Sequence, residues 1–133
     1  MSSITPGIGA ITLFVADPAR SKAFYERTFG LRVLFADGDG VAFRLDNCIL
    51  NLLADRAAGE LVEPSPVAPR DAGSRFQLTV WVDDADAACS DLAARGVALL
   101  NGPQDRPWGV RTAAFADPDG HVWEVAQEIH PAG

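Results

Sequence analysis

Few side chains in this chain of 133 residues are equipped for catalysis or for holding a metal. His121 and His130 are its only imidazoles, and Cys48 and Cys89 its only thiols. Two cysteines, each inside an apolar segment, make no disulfide framework and are too few for a structural zinc site. Nothing beside either one would draw off its proton, so both read as packed thiols. His121 is one residue out of phase with Val122 and Glu124 and follows the Asp117-Pro118-Asp119-Gly120 turn signal. It reads as a surface histidine, and His130 as part of the C-terminal tail. Glu124 carries more promise, because it lies inside an apolar strand pattern. A carboxylate there is an acceptor for a cationic or hydroxylated ligand, or a general base made less acidic by an apolar cleft. The plainer reading is a carboxylate hydrogen-bonded to Gln77 or Asn51 and doing nothing further. Arg111 either pairs with a surface carboxylate or anchors an acidic ligand group, and the surface reading is preferred. Phosphate loops, nucleophile elbows and zinc motifs are absent from the sequence. The run Asp37-Gly38-Asp39-Gly40 lacks the spaced carboxylates and the terminal Glu of a calcium loop and reads as a hairpin turn.

The elements that position these residues come in two similar sets. Residues 11–17, Ile-Thr-Leu-Phe-Val-Ala-Asp, match residues 78–84, Leu-Thr-Val-Trp-Val-Asp-Asp, in class at all but one position. Each is a β-rich run ending in an Asp suited to cap a helix. Pro18 stands at a favourable first helical position, and the helix runs to about Phe29 with Gly30 as its stop. In the second set Ala85, Ala88, Cys89, Leu92 and Ala93 form a helical apolar stripe stopped by Gly96. Strands are then expected near 31–36, 41–46 and 48–54, and again near 97–101, 110–116 and 121–128. Residues 55–75 hold Gly59, Pro64, Pro66, Pro69 and Gly73 and read as a linker. The chain is therefore βαβββ (about 8–54), linker (about 55–75) and βαβββ (about 76–128), within a single domain.

At this point the sequence resembles the vicinal oxygen chelate superfamily: glyoxalase I, bleomycin-resistance proteins and extradiol dioxygenases. The resemblance rests on residues 11–17 followed by Ser21, Phe24, Tyr25, Phe29 and Gly30. It continues through 80–84 with Leu92 and Gly96, the Pro107-Trp108-Gly109 loop with Arg111, and residues 115–124, Phe-Ala-Asp-Pro-Asp-Gly-His-Val-Trp-Glu. It covers nearly the whole chain. It implies an α+β fold in which two βαβββ modules form an open, cleft-bearing mixed β-barrel with the helices outside. Strand parity agrees: Ile11, Leu13 and Val15 suit a helix-facing side, leaving Ala10, Thr12 and Phe14 for the cleft. By the repeat, Gln77, Thr79 and Trp81 join them, as do Val122, Glu124 and Ala126 on the last strand.

Metal-using members of that superfamily place ligands at four repeat-related positions, which in this sequence are Ala10, Asn51, Gln77 and Glu124. Ala10 has no donor atom, and neutral amides are poor ligands for Zn²⁺, Ni²⁺ or Fe²⁺. The resemblance therefore implies a site that has lost its metal, and no cofactor is expected. Without a metal, proton abstraction by Glu124 lacks a stabiliser for the developing oxyanion. The aromatic residues favour binding instead. Phe14 and Trp81 are repeat mates with cleft parity, and Trp108 sits in a loop resembling the one beside the ligand groove of bleomycin-resistance proteins. Together they read as a stacking platform for a ring-containing ligand rather than as core filling. Trp123 has the opposite parity and is expected in the core.

Composition narrows the partners. Eleven Lys and Arg against eighteen Asp and Glu give a net charge of −7, which argues against nucleic acids and anionic membranes. No apolar run approaches the ~20 residues that span a bilayer, and the first ten residues lack a secretory pattern, so a cytoplasmic protein is expected. The reading is a metal-free small-molecule-binding protein that sequesters an aromatic or cationic natural product or drug. Its site residues are Ala10, Thr12, Phe14, Asn51, Gln77, Thr79, Trp81, Trp108, Arg111 and Glu124. The alternatives are a metal-dependent glyoxalase, isomerase or extradiol dioxygenase, or a cofactor-independent lyase or isomerase using Glu124. The resemblance also implies a homodimer, with the linker and the N-terminal strand as candidates for crossing contacts.

Overall fold

The computed structural model describes residues 3–129. Its elements are β1 (Ala10–Val15), α1 (Pro18–Phe29), β2 (Val33–Ala36), β3 (Gly40–Arg44), β4 (Ile49–Ala54), α2 (Asp55–Val62), β5 (Gln77–Trp81), α3 (Ala85–Ala94), β6 (Leu99–Arg106), β7 (Val110–Ala116) and β8 (Val122–Glu128). They belong to two compact units whose boundary falls between Ala68 and Pro69. Each unit carries a βαβββ module, so the fold class is α+β as expected. His130 lies outside the described residues.

In the first unit the sheet order is β1-β4-β3-β2, with β1 parallel to β4 and the other pairs antiparallel. The crossover helix starts where the sequence calls for it. Asp17 Oδ1 accepts from the backbone N–H of Ala19 and Arg20, and Pro18 occupies the first turn, where no intrahelical donor is needed. Gly30 ends α1 with φ of 65°, a left-handed conformation open to glycine. The face α1 turns inward buries Phe24 and Tyr25, and the Tyr25 ring stacks on Phe29 and tilts against Phe43. Beneath it Leu13, Val15, Val41, Phe43, Leu50 and Leu52 are buried, all on one side of the sheet. The 37–40 turn is built as expected: Asp37 Oδ1 accepts from the backbone N–H groups of Asp39 and Gly40.

The second unit repeats the plan, with order β5-β8-β7-β6 and β5 parallel to β8. Asp84 accepts from Ala87 N, while Gln127 Oε1 receives Ala85 N at 2.8 Å, so two side chains share the orphan donors of α3. The helix buries Ala85, Cys89 and Leu92 against β6, β7 and β8, where Ala113, Phe115, Trp123 and Val125 complete the core. Trp123 is therefore a core residue, as its parity requires.

Two expectations need correction. Residues 55–75 are not all linker, because α2 occupies Asp55–Val62. Every proline of the segment follows Val62, and Gly59, read as a breaker, is tolerated inside a helix whose Ala58 is fully buried. The strand expected at 97–101 instead runs from Leu99 to Arg106, through Gly102 and Pro103. Its register shifts between Asn101 and Gln104, and a bulge is where a strand admits proline. Gly102 is required there. With φ of 85° it sits so near the backbone of Thr112 and Ala113 that a Cβ would collide.

Leu92→Ala should lower the unfolding free energy by about 2–5 kcal/mol, the usual range for emptying a buried leucine site. Leu100→Ala, at an exposed leucine, should stay within about 0.5 kcal/mol. Urea unfolding followed by tryptophan fluorescence measures both. A small change at Leu92 would overturn the packing of α3 on its sheet.

Candidate functional site

The face of each sheet opposite its helix carries a polar pair in matching places. In the first unit Thr12 stands opposite Asn51 in the β1–β4 ladder, and Asn51 Nδ2 donates to Thr12 Oγ1 at 3.3 Å. In the second, Thr79 stands opposite Glu124 in the β5–β8 ladder, and its hydroxyl donates to Glu124 Oε1 at 2.9 Å. Alanine completes each row, Ala42 beside Asn51 and Ala114 beside Glu124. The partner of Glu124 is therefore Thr79, not the Gln77 or Asn51 expected. The reason is register: Gln77 pairs with Val122, one side-chain repeat short of Glu124.

Aromatic and aliphatic side chains flank these rows. Phe14 is half-buried opposite Leu53 on the first sheet. Trp81, its repeat mate, is 65% exposed, and Trp108 on the β6–β7 turn is 69% exposed. Trp81 pairs with Ala126, and the Trp108 turn leads into the Val110–Glu128 pairing, so both indoles belong to the end of the second sheet where β8 finishes. Trp81 also lines a pocket of about 340 Å³ with Asp83, Gln127 and Glu128. In the first unit a cavity of about 400 Å³ is lined by Thr12 and Asn51, to which the sequence points, and by residues to which it does not, among them Phe35, Ala42, Leu53, Ala57 and Leu61. Ala57 and Leu61 lie on α2, so missing that helix meant missing one wall.

Arg111 is not brought to Glu124. On β7 it has the parity of Ala113 and Phe115, which lie under α3, and its guanidinium holds Asp86 at 3.0 Å and Asp105 at 2.8 Å. The hydrogen bonds it donates to Asp105 and then to Asp86 raise its already high pKa. Cys89 is buried, and desolvation followed by the charge of Asp86 pushes its thiol pKa up against the pull of Arg111, the opposite of thiolate activation. Ala10 and Gln77 are exposed on the edge strands of their sheets.

His121 is more than a surface histidine. Its side chain is only 18% exposed, and its Nδ1–H donates to Asp117 Oδ2 at 2.8 Å. The other oxygen of Asp117 accepts from the backbone N–H of Asp119 and of His121, each at 2.9 Å. Asp117 thus clamps the turn between β7 and β8. That turn sets which residue of β8 meets Ala114, and so it sets the place of Glu124.

Neither unit offers a set of donors that fits a transition metal. Of the four repeat-related positions, alanine offers nothing, the Asn51 amide is engaged with Thr12, Gln77 offers a neutral amide, and only Glu124 carries charge. Among the described residues no three His, Cys, Asp or Glu side chains are grouped to hold a metal ion. None of the described helices is long and apolar enough to cross a membrane.

The sequence model of the Glyoxalase/Bleomycin resistance protein/Dioxygenase superfamily matches residues 7–125. The YraH protein of Bacillus subtilis (strain 168) is 33% identical over 119 residues, covering 86% of this chain and 93% of YraH. A glyoxalase/bleomycin resistance protein/dioxygenase from Nocardioides superposes with a TM-score of 0.86 at 24% identity, over 98% of this chain and 89% of that one. TnmS3, an antibiotic binding protein from Streptomyces sp. CB03234, superposes with a TM-score of 0.70 at 28% identity, over 96% and 99% of the two chains.

Asp117→Ala should cost about 1–3 kcal/mol, because it strips partners from two backbone N–H groups in a largely buried turn. Asp117→Asn keeps an oxygen for those groups and should cost less. Chemical denaturation of the two variants gives the order, and an equal loss in both would show that the Oδ1 contacts do not hold the turn.

Proposed function

The chain belongs to the glyoxalase/bleomycin resistance protein/dioxygenase superfamily, and on that premise we propose that it is a metal-free protein binding a small aromatic or cationic natural product or drug. One observation carries this reading. The open faces of the two sheets combine exposed aromatic residues with hydrogen-bonded polar pairs, while the repeat-related positions supply a single charged donor. Indoles such as Trp81 and Trp108 give a ring-containing ligand large flat contacts at low conformational cost. Likeness to an antibiotic binding protein supports the same direction. Sequestration needs no oxyanion stabiliser, and Glu124 then serves as an acceptor for a ligand cation or hydroxyl.

A second reading is favoured by one feature. Thr79 engages Oε1 of Glu124, and among the described residues the other oxygen has no hydrogen-bond partner. An oxygen so placed would serve a cofactor-independent lyase or isomerase as its proton acceptor. We propose further that the protein is a cytoplasmic homodimer, following the pairing of chains in the bleomycin-resistance proteins it resembles.

A thermal-shift screen that includes aromatic antibiotics should find stabilising ligands, since a ligand at a hundredfold excess over its Kd adds about 2.7 kcal/mol. Trp81→Ala or Trp108→Ala should weaken a ligand so found by about 1–3 kcal/mol. Stoichiometric metal in protein purified without chelators would overturn the reading. So would turnover of a candidate substrate that Glu124→Gln abolishes, which would establish the second reading instead. Sedimentation should show a dimer at micromolar concentration, and a clean monomer would reject the pairing.

A further inference from the structure

Among the described residues the first module carries a helix after its last strand, and that helix helps to build a cavity. β4 is followed directly by α2, whereas no helix follows β8 among the described residues. The amphipathic α2 anchors on the first sheet through the fully buried Ala58 but leaves Leu61 67% exposed. Phe35 on β2 is 61% exposed. These two large apolar side chains come from different elements, neither is spent on the core, and both line the cavity of about 400 Å³ with Leu53, Ala57 and Ala42. That volume lies in the range of small-molecule sites.

The polar groups of the cavity are uneven in charge. Asn51 donates to Thr12 Oγ1, which leaves the Thr12 hydroxyl proton and the Asn51 carbonyl oxygen able to meet a ligand. Asp39 is neutralised by Arg56, whose guanidinium lies 3.0 Å away. Asp37 is not. One of its oxygens takes the backbone N–H groups of Asp39 and Gly40, and no cation pairs with it among the described residues. A cavity with apolar walls and one unneutralised carboxylate attracts a cation and repels an anion, and the net charge of −7 acts in the same sense.

We propose that this cavity is a subsite for an amphiphilic amine: its apolar ring lies against Phe35, Leu53 and Leu61, and its protonated nitrogen is held at Asp37. The proposal rests on the binding reading above and narrows its ligand class. The bicyclic probes 2-naphthylmethylamine, 2-naphthylmethanol and 2-naphthoate share one apolar body and differ in charge. With the full chain at low salt, calorimetry should give affinity for the amine about three- to fivefold above the alcohol, the scale of a solvent-exposed ion pair, with the carboxylate weakest. Added salt should shrink that ratio. Asp37→Asn keeps the oxygen that accepts in the turn, and should bring the amine down to the alcohol while leaving the alcohol unchanged. Leu61→Ala should weaken amine and alcohol alike. Equal affinity for all three probes, or amine preference that survives Asp37→Asn, would overturn the amine assignment without touching the binding reading. Probe binding indifferent to Leu61→Ala, or no binding at all, would overturn the cavity as the subsite. Failure of the wider reading would appear separately, as metal content or Glu124-dependent turnover.

Discussion

The parallel pairing of the first and last strands in each module governs most of what the molecule can do. Two parallel neighbours cannot be joined by a hairpin, so the chain leaving β1 or β5 must cross over a face of the sheet, and a helix makes that crossing. The helix claims one face. Leu13, Val15, Leu50 and Leu52 must then be apolar, and their alternation sends Thr12 and Asn51 to the other side. The same pairing puts Thr12 level with Asn51 and Thr79 level with Glu124.

Magnitudes explain why the second face is free to vary. Burying a leucine or phenylalanine on the helix side contributes roughly 1.5–3 kcal/mol, and seven such residues are buried among the described residues: Leu13, Phe24, Phe43, Leu50, Leu52, Leu92 and Phe115. On the open face a hydrogen bond such as Thr79 to Glu124 contributes only about 0.5–1.5 kcal/mol. Stability is therefore concentrated on the helix side, and substitution on the other side costs the fold little. An indole left 65% exposed on β5 contributes little to folding, and that exposure is the ground for proposing a ligand at Trp81.

The sequence made the helix side legible because its signals are strong and local: Asp17 with Pro18, Asp84, and glycines at 30 and 96 mark the helices, and period-two alternation marks the strands. What escaped were features that depend on geometry across strands. The partner of Glu124 turns on a register that composition does not reveal. Extension of β6 through Pro103 turns on a bulge opposite Thr112 and Ala113. His121 has surface parity, yet its role comes from Asp117 four residues earlier, a contact made only once the turn has closed. Helix α2 was hidden by averaging, since the prolines that mark residues 55–75 as linker all follow Val62. Of the residues lining the first-unit cavity, Thr12 and Asn51 stand among those read from the sequence, and Phe35, Ala57 and Leu61 do not.

The two modules have used this freedom differently. Asn51 and Glu124 occupy the same place in the repeat, each beside a threonine and an alanine. An amide on the first sheet leaves its row neutral, and the charge there lies at the rim, where Asp37 stands unneutralised beside the apolar wall that α2 adds. A carboxylate on the second sheet puts the charge in the row itself, with indoles at the end of the sheet. The first sheet thus offers an apolar cavity with charge at its edge, and the second offers exposed indoles and a central acceptor. Duplication made the backbones alike, and the face that the helices leave uncovered is where the halves could diverge without disturbing the register that positions them.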